Sequence, residues 1–347
     1  MKKQKIENHF EFIAHDSNVP LIRKANANDT CSFTINGKAN ILHWPKRIAI
    51  PADSPKKGKV SEIIRDTFKH CNKITEITIP DSVTIIGKHA FDGCENLKHM
   101  LIPDGVKNIG EAAFAYCHNL AEVNIPNGIN IIEKETFSGC TMLQSIQLPE
   151  TVNKIGVKAF ADCYSLKSIT IPDNVIEIKE GAFENCFNVE TVTFGKGVKI
   201  IGKRAFASCH SLKSITIPDN VIEIEEGAFE KCENVETVTL GKGVQNIKEG
   251  AFAGTKINEI NIPNSVINID SHAFAFCMHL TFVKIKKNVM SIKWDSFFPM
   301  GGDLHIYFDG MKSDWDARFT KGKKEIKYAH ALIVHCLDGD IKYKSIS

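Results

Sequence analysis

The chain has 347 residues, 43% hydrophobic and 24% charged, enough apolar content to bury a core. A formal net charge of +2 gives no global drive towards nucleic acid or an anionic membrane, so no specific nucleic-acid partner is expected. No stretch approaches the roughly 18 consecutive apolar residues of a membrane helix, so no membrane span is expected either.

The N-terminus reads MKKQKIENHFEFIAHDS. It opens on lysines as a secretory leader does, but Glu7, His9, Glu11, His15 and Asp16 interrupt the apolar run a leader needs. The expectation is a cytoplasmic chain; a cell-surface or secreted location is the alternative if a leader has been removed. The first sixty residues carry 11 Lys/Arg against 5 Asp/Glu, which leaves polyanion binding through this basic segment as a further reading. Asn28-Asp29-Thr30 is a glycosylation sequon that matters only in a secreted protein. Residues 32–42 read as a hairpin around Asn36-Gly37. Ile48, Ile50 and Pro51 resemble a degenerate first rung, and residues 1–59 are read as an N-terminal cap.

From Phe68 onwards the sequence repeats itself. Phe68, Phe91, Phe114, Phe137, Phe160, Phe183, Phe206, Phe229 and Phe252 recur every 23 residues, Phe274 follows after 22, and Phe297 after 23 again. The pattern is V-x-x-I-(G)-x-x-A-F-x-x-C-x-x-L-x-x-I-x-I-P. In L-x-x-I-x-I, as at Leu166, Ile169 and Ile171, alternate apolar residues make a short strand with one buried face. The following proline removes a ladder donor and stops it. Asp or Asn with Gly, Ser or Asn supplies a turn, and V-x-x-I a second extended piece. The segment x-x-A-F-x-x-C is read as one or two helical turns carrying Ala and Phe inward. A single coil of this kind cannot bury its own apolar face, whereas stacked coils bury a continuous one. About ten to eleven such units fill residues 60–302. The short interval falls where A-G-T-K-I (253–257) replaces A-x-C-x-x-L, so that this unit lacks the cysteine and one residue. Residues 303–347 read as a C-terminal cap: a strand in D-L-H-I-Y-F-D-G (303–310), a helix at Trp315, and a hairpin in A-L-I-V-H-C-L-D-G-D-I (331–341) turning at Asp338-Gly339.

With the A-F pair, the cysteine, the proline and every apolar slot in phase over about residues 60–300, the unit resembles the BspA-like class of leucine-rich repeats. The resemblance implies an α/β solenoid: a leucine-rich-repeat right-handed superhelix of short parallel strands and short helical turns, closed by β-hairpin caps at both ends. It also implies binding or adhesion, with the concave sheet face as the contact surface.

Several apparent motifs dissolve into the repeat. Nine of eleven cysteines occupy one slot, no C-x-x-C occurs, and a line of one thiol per rung is not a tetrahedral metal site; a small buried apolar residue explains them, and free thiols favour a reducing compartment. His70, His118 and His210 adjoin that slot, but no orienting acid recurs with them. Gly197-Val-Lys-Ile-Ile-Gly202-Lys203-Arg204 differs from a phosphate-binding loop at its last position, and both glycines have repeat explanations. Glu225 and Glu226 read as solvated carboxylates. No catalytic, cofactor-binding or metal-binding residue is therefore assigned.

What remains is the outward strand face. One column runs Thr78, Leu101, Asn124, Gln147, Thr170, Thr193, Thr216, Thr239, Asn261, Lys284. A second runs Glu76, His99, Glu122, Ser145, Ser168, Thr191, Ser214, Thr237, Glu259, Phe282. Lys167, Glu190, Lys213 and Glu236 alternate in sign and read as a supporting charge ladder. Residues 163–208 and 209–254 are identical at 35 of 46 positions, so the centre repeats a small polar pattern, whereas a catalytic constellation needs unlike groups converging. The irregular rungs are the candidates for partner contact: Glu76, His99, Leu101 and Glu122 towards one end, Phe282 and Lys284 towards the other. The sequence reading is a non-catalytic scaffold or adaptor with a protein partner and no cofactor. A secreted or cell-surface adhesin is the alternative, and an enzyme with its site hidden in a cap is a third possibility. Partner identity and oligomeric state are not specified.

Overall fold

The computed structural model describes residues 46–50, 52–54, 58–320 and 331–343, with the strand backbones at 11–14, 20–23, 33–35 and 38–40. Asn36-Gly37, Cys31, the sequon and Pro51 lie outside the described residues, as do the side chains of residues 1–45 in the basic N-terminal segment. The chain divides into two compact units, residues 1–167 and 168–347, and each is a parallel-strand β-solenoid with little helix.

In the first unit one strand track runs Arg47–Ala49, Glu76–Thr78, His99–Leu101, Glu122–Val123, all parallel and in register. The register is Ile48↔Ile77↔Met100↔Val123, so the middle residue of each strand faces the core. A second track, built from the V-x-x-I segments, stacks Glu62–Ile63, Ile85–Ile86 and Asn108–Ile109, then Ile131–Ile132 on Lys154–Ile155. Near the N-terminus, Glu11–Ala14 and Pro20–Arg23 pair antiparallel, and Pro20–Arg23 lies parallel to Glu62–Ile63. Phe33–Ile35 and Lys38–Asn40 form a separate antiparallel pair.

The second unit repeats both tracks. Its second track is continuous from Glu177–Ile178 through Ile200–Ile201, Glu223–Ile224, Asn246–Ile247, Asn268–Ile269 and Ser291–Lys293 to Phe319–Thr320. The 22-residue interval leaves this register intact, with Asn246 opposite Asn268. Its first track ends in longer strands: Glu259–Asn261, Phe282–Lys286, Leu304–Asp309 and Leu332–Cys336 stack parallel, and Gly339–Tyr343 folds back antiparallel. The hairpin turns on Leu337-Asp338, one residue earlier than the sequence reading. Asp338 Oδ1 accepts the Lys312 N–H at 2.8 Å, which fixes it in the turn, and Gly339, at φ +114°, starts the return strand.

The A-F-x-x-C segments are runs of turns; among the described residues the helix is Lys312–Arg318. The reason lies in backbone pairing. In the rung around Phe91, the N–H groups of His89, Phe91 and Gly93 donate to Glu111, Ala113 and Ala115 of the next rung at 2.8–2.9 Å. The intervening N–H groups of Ala90, Asp92 and Cys94 close i→i−3 turns at 3.0–3.3 Å. A helix directs every N–H along its own axis, so it has none left for a neighbouring coil. Alternation is achieved by left-handed residues two before and two after each spine phenylalanine: Asp66 and His70, His89 and Gly93, Ala112 and Tyr116, and so on to His272 and Phe276.

This backbone aligns the phenylalanines. Rings from Phe68 to Phe160 in the first unit, and from Phe183 to Phe297 in the second, stack at centroid separations of 5.1–5.6 Å with planes within 9° of parallel. All are buried. Offset stacking of this kind adds roughly 0.5–1.5 kcal/mol per pair beyond simple burial.

Candidate binding surface

Among the described residues nine cysteines are buried, and thiols from Cys94 onwards reach a spine carbonyl of the preceding rung, as Cys94 to Phe68 at 3.0 Å, Cys140 to Phe114 at 3.2 Å and Cys232 to Phe206 at 3.2 Å; Cys71 instead reaches Lys69 O in its own rung at 3.8 Å. Burial pushes the Cys140 and Cys232 thiols up to about 12 and Cys277 to about 11, so these groups stay protonated at neutral pH. In the short unit Thr255 takes the cysteine's place, its hydroxyl within reach of Phe252 O at 3.0 Å and Cys277 Sγ at 3.2 Å. The deleted residue therefore follows the slot, which is filled.

The phosphate-loop look-alike is likewise structural. A Cβ on Gly197 would meet Asp173 O at 2.1 Å, and one on Gly202 would meet Ile178 O at 2.5 Å, so glycine permits close approach of successive coils. Arg204 is held by Glu184 and Glu230. Glu225 accepts the Lys203 N–H and Glu226 pairs with its ammonium, so both carboxylates tie rungs together. The expected charge ladder is rearranged: Glu236 pairs with Lys256 at 2.9 Å, and Lys213 adds only a weaker attraction that helps hold its carboxyl low.

The strand face divides the six candidate residues between the units. In the first, Glu76, His99 and Glu122 occupy one column on adjacent strands, all exposed. Arg47 Nε lies 3.0 Å from Glu76 Oε2, and His99 Nδ1 lies 3.3 Å from Glu122 Oε2, giving alternating base and acid along the stack. Leu101, 76% exposed, stands beside them at the rim of a groove of about 490 Å³ that Asn124, Ser145 and Gln147 also line. Asn124 is committed elsewhere. Its amide accepts from Ile102 N at 2.7 Å and donates to Ile102 O at 2.8 Å, replacing a backbone pair where the Glu122–Val123 strand stops.

In the second unit, Phe282 and Lys284 border a groove of about 460 Å³ floored by Thr237, Thr239, Asn258, Glu259 and Asn261. Phe282 is half-buried because its ring packs on Tyr307 at 4.7 Å, and Tyr307 packs on His335 at 4.5 Å. His335 Nδ1 lies 3.0 Å from Asp340 Oδ1, and its Nε2 lies 3.0 Å from His305 Nδ1. An ionised carboxylate only accepts, so His335 donates from Nδ1, and the direction of the bond between its Nε2 and His305 Nδ1 follows the proton positions on the two rings. The sequence reading of 303–347 as a cap assigns none of these four residues to the surface. The signal was present: H-x-Y at 305–307 continues the outward columns, with Phe282 opposite His305, Lys284 opposite Tyr307, and Tyr307 opposite His335.

Among the described residues no three His, Cys, Asp or Glu side chains converge to hold a metal ion, and no helix is long and apolar enough to cross a membrane.

Stacked parallel coils with a phenylalanine spine and an open strand face define a leucine-rich-repeat protein. The model of the BspA type leucine rich repeat region matches residues 61–190 and 176–300, more than half of the chain, and the chain belongs to that family. Among solved structures, a leucine-rich repeat protein of T. pallidum is 28% identical, covering 59% of this chain and 88% of that one at a TM-score of 0.50. A leucine-rich cell surface protein of Faecalibacterium prausnitzii is 27% identical over 91% and 97% of the two chains, at a TM-score of 0.47. A leucine-rich repeat protein of Bacteroides ovatus is 20% identical over 93% and 98%, at 0.45. Comparison with curated proteins gives no match.

Proposed function

We infer that the chain is a non-catalytic protein-interaction module that holds a protein partner on its first strand track. The observation that carries this is the alternation within the strands. In Glu76–Thr78, His99–Leu101, Ser214–Thr216 and Glu259–Asn261 the central residue is buried while both neighbours stand exposed and uncovered. The irregular side chains lie on this face beside open grooves, whereas the thiols sit inside and hold their protons, as a packing role requires. The reading takes Glu76, His99, Leu101 and Glu122 as one contact group and Phe282 with Lys284 as another. A cytoplasmic location is part of the proposal, supported by the buried free thiols.

The test is affinity capture from the native organism with full-length wild-type, His99→Ala and Phe282→Ala baits. Partners that bind wild type and are lost or weakened on a variant support the reading. Identical partners at identical yield on all three baits overturn it. Labelling of intact cells by a membrane-impermeant reagent would overturn the location.

A further inference from the structure

The second-unit groove has a chemistry of its own. Phe282 lies in register with Glu259 on the adjacent strand, and both line the groove. One face of the Phe282 ring is covered by Tyr307, which leaves the other turned to the Glu259 rung. The ring is also fixed in place, since Tyr307 rests on His335 and His335 is hydrogen-bonded to both Asp340 and His305. Glu259 is exposed and has no ion pair among the described residues, whereas Glu236, across the groove, is already matched by Lys256. Lys284, in the neighbouring column, is exposed and likewise has no ion pair among the described residues. The groove thus presents an immobilised aromatic face, one uncompensated carboxylate beside it, and one uncompensated ammonium a column away.

We propose that this groove receives an arginine side chain of an extended partner segment, its guanidinium laid on the free face of Phe282 and hydrogen-bonded to the Glu259 carboxylate. A planar, weakly hydrated cation satisfies both groups at once, by attraction to the ring's electron-rich face and by a two-point bond to the carboxylate. Lysine, a strongly hydrated point charge, satisfies only one well. Lys284 repels a polybasic run and attracts an acidic residue near the arginine, so the segment is of mixed charge. The fixed ring matters because little side-chain freedom is lost when it binds, which is the property of interface anchors. This deepens the protein-partner reading and rests on it.

The probe is the fluorescently labelled capped peptide Ac-Gly-Arg-Ser-Asp-Gly-amide, titrated with the full chain by anisotropy at low salt. Matched peptides carry lysine or the neutral isostere citrulline in place of arginine. Arginine should bind best, with lysine and citrulline each about 2- to 5-fold weaker. Glu259→Gln should reduce the preference for arginine over citrulline to the smaller part that the ring face supplies. Phe282→Leu, which keeps the apolar volume, should weaken the arginine peptide by about 2- to 5-fold while thermal unfolding is unchanged. Equal binding of the arginine and citrulline peptides overturns the proposal. So does an unaltered preference in Glu259→Gln, or saturation of the same groove by a neutral disaccharide such as maltose in preference to the peptide. If the peptides fail while captured partners still depend on Phe282, the arginine assignment falls and the protein-partner reading stands. If captured partners are indifferent to every strand-face variant, that reading itself falls.

Discussion

Removal of one spine ring tests the account of what holds each unit together. Phe229 is fully buried between Phe206 and Phe252, with ring centroids 5.5 and 5.4 Å away and planes 6° from parallel on both sides. Its N–H also bonds Ala251 O at 2.8 Å, so its backbone is fixed to the next rung whatever its side chain. Phe229→Ala therefore opens a cavity that backbone collapse cannot close, and the expected cost is at the upper part of the ~3–5 kcal/mol range for buried phenylalanine. Two ring–ring contacts, about 0.5–1.5 kcal/mol each, are included in that figure. Phe229→Leu fills most of the volume without the stacking and should cost about 1.5 kcal/mol. Urea unfolding followed by far-ultraviolet circular dichroism gives both values. Because a solenoid is stabilised by nearest-neighbour contacts, hydrogen exchange at Phe206, Phe229 and Phe252 should accelerate more than at Phe297. A cost under 1.5 kcal/mol for alanine, or equal costs for alanine and leucine, would refute the claim that the stacked rings carry the core.

Three further outcomes follow from the geometry. Gly139 has φ +73°, and a Cβ there would sit 2.7 Å from Cδ1 of Tyr116, the exposed aromatic one rung earlier. Gly139→Ala should cost about 2 kcal/mol, falling to about 1 in a Tyr116→Ala background where only the left-handed backbone penalty remains; additive costs in that double-mutant cycle would sink the contact. The buried thiols make an alkaline prediction. Folding raises their pKa, so the folded state holds protons that the unfolded chain releases above its ordinary thiol value near 8.5, and stability is full below that pH and declines above it. Each such thiol contributes at most about 1.4 kcal/mol per pH unit, so Cys232→Ala should show a shallower fall in urea midpoint between pH 9 and 11 than wild type; parallel curves would exclude the linkage. Asp338→Ala removes the acceptor for Lys312 N–H at the start of the helix and should lower stability by about 1 kcal/mol, measured by thermal unfolding, with Asp338→Asn losing less.

The strands were legible in the sequence because their cause is local. A period-2 alternation such as Ser168-Ile169-Thr170 dictates which side chain faces the core, and a 23-residue phase dictates what lies above it. The turn track was not legible, because its cause lies in the neighbouring coil. Ala and Phe flanked by polar residues is also what one helical turn looks like, and the signal against a helix is subtle: bulky residues such as Tyr116 occupy left-handed positions whose successor one rung on is often glycine, as at Gly139 and, after His70, Gly93. That alternation of size down the column is the mark of stacked turns.

The candidate surface shows the same division. Glu76, His99 and Glu122 were found by column reading, because parallel register converts sequence period directly into spatial adjacency. The repeat signature ends at about residue 302, but the strand Leu304–Asp309 keeps the 23-residue spacing, with His305 opposite Phe282 and Tyr307 opposite Lys284. Only Leu332–Cys336 departs from it, placing His335 opposite Tyr307. Tyr307 stacks directly on Phe282, and behind it stands a hydrogen-bonded histidine pair set against Asp340 on the antiparallel return strand. A capping hairpin is usually explained by the need to cover the last rung's core. Here the same hairpin also fixes the orientation of the aromatic residue on the exposed face, so closing the array and preparing its surface are one structural act. Core coverage alone accounts for the hairpin's apolar residues; it does not account for the hydrogen-bonded polar relay that stands behind the half-buried Phe282 ring.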